Sequence, residues 1–201
     1  MYVPHHFASE PDLSLIAAAD LITPTADGLV ATFLPVLYDG TAFLGHVARA
    51  NPHWQAVPTG DSLLIARGPD AYISPRWYAS KAEHGRVVPT WNYTQVHVHG
   101  PVEFVEDPGF VRDIVTRLTD RFEAGADRPW RVSDAPQRFV EGQLRAIVGF
   151  RLVVSRVQAK AKLSQNRSAA DRRGVIAGLG PHDPVAVGVA AQLASTPGEV
   201  D

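Results

Sequence analysis

At 201 residues with 45% hydrophobic side chains, the chain is long enough to bury a substantial core, and its length fits one domain with helical additions better than two independent domains. A formal charge of −2 and a pI near 6.4 give no global attraction to a polyanion, so nucleic-acid binding would need a local basic patch. The lack of cysteine excludes disulfides, thiolate metal sites and cysteine nucleophiles; with no secretory leader and no apolar run near the ~20 residues of a membrane helix, the expectation is a soluble, cytoplasmic protein without a membrane partner.

Sixteen Gly and sixteen Pro spread along the chain suggest many turns between short elements, so the composition leans towards β with peripheral helices. Ser9 and Asp12 offer caps for a helix from Leu13 to Asp20. From Gly28 to Ala48, two β-branched and aromatic strands flank Asp39-Gly40, a dipeptide suited to a tight hairpin turn. Pro35 lies inside the first of them, so that stretch is expected to be unpaired on one side. Arg49 to Val57 predicts a short helix, with Asn51 as its cap and Pro52 in the first helical position. Asp61 to Tyr78 predicts a strand, a Gly68-Pro69-Asp70 turn and a second strand, broken at Pro75. A broken strand pair follows from Val87 to Asp107, with Val96, Val98 and Val102 on one face and His97 and His99 on the other. Phe110, Ile114, Val115, Leu118 and Phe122 recur at helical spacing over 108–122, and a second helix is expected from Pro136 to Leu144. Ala146 to Val157 predicts a central strand, and the tail from Leu163 two helices separated by Gly178-Leu179-Gly180-Pro181.

Two segments carry candidate chemistry. The strand ending at Arg49 leads into a helix, so a guanidinium fork would stand beside helix N-terminal amides, an arrangement suited to a phosphate monoester, with His46 as a further donor; a solvated arginine is the plainer alternative. From 151 to 173, Arg151, Arg156, Lys160, Lys162, Arg167, Arg172 and Arg173 face the single acid Asp171, a strip for a phosphate-bearing cofactor, a nucleic-acid backbone or simply a solvated face. Ser164, Gln165 and Asn166 within it add amide and hydroxyl groups that can read a flat heterocycle. Trp77, Tyr78, Trp91 and Tyr93 could stack on such a ring or pack an interface. His5-His6 and His97/His99 invite a metal reading, but no HExxH, cysteine pair or acid cluster accompanies them, so no metal site is expected. No nucleophile elbow or dinucleotide fingerprint appears, and no catalytic residue can be named.

The segments MYVPHHF, GHVARANPHW, GPDAYISPRWY, VPTWNYTQVHVHG and KLSQNRSAADRRGVIAGL, in this order over nearly the whole chain, resemble the successive signature segments of the PaiB family. The resemblance implies one α+β, mainly β domain over 1–201, an FMN-binding split β-barrel with a C-terminal helical extension, carrying FMN at a homodimer interface. It places His46, Val47, Ala48 and Arg49 at the FMN phosphate and Thr90, Trp91 and Asn92 near the ring or ribityl chain, with Lys162, Gln165, Asn166 and Arg167 reaching the cofactor or bracing the barrel. The substrate-phosphate residues of the related pyridoxamine-phosphate oxidases are missing as a set. The expected function is therefore flavin-dependent redox chemistry or flavin sensing; if the protein is an enzyme, it is an FMN-dependent oxidoreductase. The family name also implies negative transcriptional regulation, with DNA as a partner, although the last helix is nearly uncharged. A third reading is a haem-handling barrel with His5, His6, His97 or His99 as axial ligand.

Overall fold

The computed structural model describes residues 1–195; the end of the predicted C-terminal extension, 196–201, lies outside them. The described residues form two units, a larger one of 12–66 and 97–157 and a smaller one of 1–11, 67–96 and 158–195.

The larger unit holds β1 (Ala18–Thr25), β2 (Gly28–Tyr38), β3 (Ala42–Ala48), the start of β4 (Ser62–Ile73), the end of β5 (Thr90–Gly100), β6 (Val102–Val105) and β7 (Ile147–Val153). Antiparallel ladders run in the order β6-β7-β3-β2-β1-β4. The predicted hairpin is present: the Asp39 carboxylate accepts from the Thr41 and Ala42 amides at 2.9 and 2.8 Å, and Gly40 takes φ 102°, which a side chain would resist. Pro35 sits in register with Ala18 on the β1 side, whereas the β2–β3 register begins only at Val36↔Gly45, so the proline marks where β2 parts from β3.

Leu13 to Asp20 is not a helix. Asp12 caps a single 3-10 turn at Leu13–Leu15, and Ala18 onward is strand β1 because pairing of all eight of its residues with β2 outweighs two turns of helix propensity. The helix expected over Arg49 to Val57 shrinks to one 3-10 turn, Pro52–Gln55, although its predicted Asn51 cap and Pro52 hold. The larger unit's helices, α2 (Pro108–Glu123) and α3 (Gln137–Arg145), lie where the periodicity puts them. Val111, Ile114 and Leu118 of α2 are buried, with Ile114 and Leu118 packing on Ala42 and Leu44 of β3. Phe43 and Phe150 are fully buried, each contributing roughly 1.5–3 kcal/mol by area.

The smaller unit contains the rest of β4 and β5, then β8 (Arg156–Lys162) beyond its first residues, in the order β4-β5-β8. Three helices accompany them: α1 (Ser80–His84), α4 (Ala169–Leu179) and α5 (Pro184–Ala194). The turn expected at Gly68-Pro69-Asp70 is absent, and β4 runs straight through. Gly68 serves strand packing instead, since a Cβ there would lie 2.0 Å from Thr94 Oγ1. Ile73, Tyr78, Leu163, Val175, Val185 and Val189 form the core. On α4, Gly174 and Gly178 face Trp77: added Cβ atoms would come within 1.9 Å of its carbonyl oxygen and 2.3 Å of its indole. Among the described residues no helix is long and apolar enough to cross a membrane.

Candidate functional site

The structure distributes the sequence-predicted residues over both units. In the larger unit, β3 delivers Arg49 to a cleft of about 530 Å³ beside α2 and α3, lined also by Arg112, Arg145, Glu106 and Glu141. Arg49 is firmly held there. Its amide donates to Ala146 O at 2.7 Å, its carbonyl accepts from Trp54 Nε1 at 2.9 Å, and its Nε donates to Arg145 O at 3.0 Å. Its remaining fork forms an ion pair with Glu106, and the guanidinium lies 5.5 Å from the Trp54 ring centroid. The helix N-terminus expected next to it is only the 3-10 turn, whose His53 amide is already taken by the Asn51 side chain. Val47 points into the core and Ala48 is exposed. His46 does not share the Arg49 cleft; it lines a separate one under the second half of α2.

The smaller unit gathers most of the other predicted residues. Lys162, at the end of β8, donates to Thr90 Oγ1 and, at 2.5 Å, to the Trp91 carbonyl, so it bridges to the start of β5. Asn92 is buried; its amide nitrogen donates to Ser164 Oγ at 2.9 Å, while its Oδ1 is buried with no hydrogen-bond partner. Ser164 turns the chain in the left-handed region at φ 65°, a conformation that costs a non-glycine residue about 1 kcal/mol or more. Gln165 braces that turn, accepting from Leu163 N at 2.7 Å and donating to Ala161 O at 2.6 Å. Asn166 is exposed, and the Arg167 guanidinium stacks 4.6 Å from the Tyr78 ring centroid. Trp91 is half exposed and pinned by Asp70, which accepts from its Nε1 at 2.8 Å, on the edge of a cleft of about 250 Å³ shared with Arg67, Tyr93 and Gln95.

Electrostatically, this second set is the more unbalanced. Burial pushes the Lys162 ammonium below its usual 10.5, and the neighbouring charges of Lys160 and Arg167 push the same way. Among the described residues, no carboxylate forms an ion pair with Lys160, Lys162 or Arg167. Lys160 is instead surrounded by the rings of Tyr2, Phe7 and Tyr93 at 5.2–5.9 Å. Positive charge without a counter-ion, beside an unpaired amide oxygen and an exposed indole, fits a flat heterocycle carrying negative charge. The basic strip as a whole is not one solvated face: Lys160 and Arg172 are buried, and Arg172 donates to the Arg167 and Gln192 carbonyls at 3.2 and 3.5 Å. The sequence reading missed Asp70, concealed in a turn signal, and gave Ser164 no conformational role. Among the described residues, no group of three or more possible metal ligands comes together.

An antiparallel sheet with flanking helices defines the split-barrel fold. Two solved structures share this fold, each with a TM-score of 0.56: a protein described as an FAD and haem binding protein from Mycobacterium smegmatis (19% identity, covering 83% of this chain and 74% of that one) and the flavocytochrome Anf3 from Azotobacter vinelandii (16% identity, 78% and 70%). Residues 1–156 match the family model FMN_bind_2, described as "Putative FMN-binding domain". The Bacillus subtilis "Protease synthase and sporulation protein PAI 2" is 31% identical over 187 residues, 88% of this chain and 87% of that protein. The chain therefore belongs to this FMN-binding, PaiB-type family of split barrels.

Proposed function

We propose that the protein is a flavoprotein whose FMN is held by Thr90, Trp91, Asn92 and Lys162, and that it passes electrons to or from a small substrate. The observation that carries this reading is the cluster of Lys160, Lys162 and Arg167 without a paired carboxylate. FMN supplies the redox chemistry; the protein supplies orientation and charge. Lys162 would stabilise negative charge on the bound cofactor, Trp91 would stack on the ring, and Asn92 would read its polar edge. Arg49 is the rival holder of the phosphate, but a phosphate there has to compete with Glu106.

The reading treats the chain as one domain acting as a homodimer. Leu29 and Phe33, two strand positions of one face of β2, are 74% and 71% exposed, an apolar surface that a second copy would cover. Phe33→Glu is expected to shift the protein to a monomer in sedimentation. The Bacillus subtilis relative's name concerns protease synthesis and sporulation. A regulatory role for this chain would run through the flavin more readily than through DNA, since α5 carries no charged residue and part of the basic strip is buried.

Titration of cofactor-free protein with FMN, followed by flavin fluorescence, tests the central claim. Saturable quenching at about micromolar FMN or below is expected in wild type, strongly weakened by Lys162→Met. Absence of quenching in wild type would overturn it.

A further inference from the structure

The larger unit carries a second cleft, of about 310 Å³, that the flavin reading leaves unused. This is the small end of the range for small-molecule sites, roughly 300–1,000 Å³. We propose that it binds a small organic amine in its protonated form, an apolar body bearing one ammonium group, with Glu123 as counter-charge and His46 as hydrogen-bond acceptor.

His46 lies on β3 opposite Gly149 of β7 and opens into the cleft beneath Leu118 and Thr119 of α2. Its ring makes no hydrogen bond among the described residues. Burial lowers its pKa below the usual 6.5, so at neutral pH the imidazole is uncharged and does not repel a cation.

Glu123, the last residue of α2, is the only charged residue of the lining and forms no ion pair among the described residues. One of its oxygens accepts from the Trp130 amide at 3.0 Å, which fixes the carboxylate and leaves the other oxygen for a ligand. Arg121, two residues away on the helix, does not neutralise it, because its guanidinium donates to the Ile16 and Val36 carbonyls at 3.0 and 3.3 Å.

Apart from Thr119, the remaining walls are apolar or aromatic. Phe122 and Trp130 stay 56% and 47% exposed, aromatic faces on which an ammonium or an aryl group can rest. An anionic ligand would meet Glu123 with no compensating cation, and a purely apolar one would cover His46 and Glu123 without pairing them, a loss of hydrogen bonds to water. A protonated amine answers both groups.

The test is calorimetric titration of the full-length protein with 2-phenylethylammonium, 2-phenylethanol and 3-phenylpropionate. The ammonium is expected to bind with a Kd of about a millimolar or below, the alcohol about tenfold more weakly, and the carboxylate not at all. Glu123→Gln keeps an acceptor for the Trp130 amide while removing the charge, and is expected to weaken ammonium binding about tenfold with an unchanged unfolding midpoint; His46→Leu weakens it as well. Equal binding of the three compounds to wild type, no binding of the ammonium, or full affinity in a folded Glu123→Gln protein would each overturn the proposal. The wild-type ligand series decides the matter even if a variant fails to fold.

Discussion

Arg49 and Lys162 are both cations delivered by the end of a strand, yet their surroundings differ. The Arg49 fork is matched by Glu106 and a carbonyl, in a cleft where a second carboxylate, Glu141, stands with Arg112 and Arg145. Lys162 has only a hydroxyl and a carbonyl for partners, and its charged neighbours are further cations. An anion therefore displaces a carboxylate at the first position and nothing at the second. The lesson is that the counter-ion, more than the cation, decides where a negatively charged cofactor can settle.

The contrast can be broken by substitution. Lys162→Met removes a charged hydrogen-bond donor worth about 1.5–3 kcal/mol, so the Kd for FMN in the fluorescence titration should rise by about 10- to 150-fold.

Changing pH acts on the same charge. Because the folded pKa lies below 10.5, the buried charge is a full penalty at pH values below the folded pKa, and that penalty is relieved as pH rises towards 10.5. A negative ligand favours the protonated lysine, so affinity should fall across that window in wild type and in Arg49→Ala. Titrations of Lys162→Met at the same pH values should lack this component.

Trp91→Ala should cost about 1 kcal/mol of ring stacking, roughly fivefold in Kd, while leaving thermal unfolding nearly unchanged because the side chain is half exposed.

The smallest effects belong to the other cleft, where Arg49→Ala is expected to change the Kd by less than about threefold, and Glu106→Gln by no more than about twofold. If Glu106→Gln instead tightens binding severalfold and Arg49→Ala outweighs Lys162→Met, the phosphate belongs to Arg49.

Local chemistry made much of the fold legible. Asp39-Gly40, the Pro at the start of α2 and α5, and the Gly that ends α4 each fix a boundary through their own backbone preferences. β1 was hidden by the apolar residues that precede it, although Ala19, Leu21 and Thr23 alternate into the core with a strand's period. β8 alternates Val157, Ala159 and Ala161 with Arg156, Gln158, Lys160 and Lys162, but two of its three apolar residues are alanines, a signal masked by the basic strip, and its neighbours in the sheet make it a strand. The site followed the same divide. Thr90 to Asn92 and Lys162 could be singled out as residue types, but the bonds joining Lys162 to Thr90 and Asn92 to Ser164 each span 72 positions. Likewise Arg49 is plain in the sequence, while its partner Glu106 stands 57 residues on. Pairings at such separations depend on tertiary structure and leave no local signal.

The two glycines of α4 bear on the order in which the chain acquires its structure. Each lowers helix propensity by about 1 kcal/mol relative to alanine, so an eleven-residue segment carrying both should not hold a helix in isolation. Their lack of side chains is what admits Trp77. Helix formation and docking on Trp77 should consequently be a single late event, awaiting the prior arrangement of the Pro75–Trp77 turn. A nascent or truncated chain lacking that turn would leave residues 169–179 without helical structure and open to proteases, making early cleavage there a readout of incomplete folding.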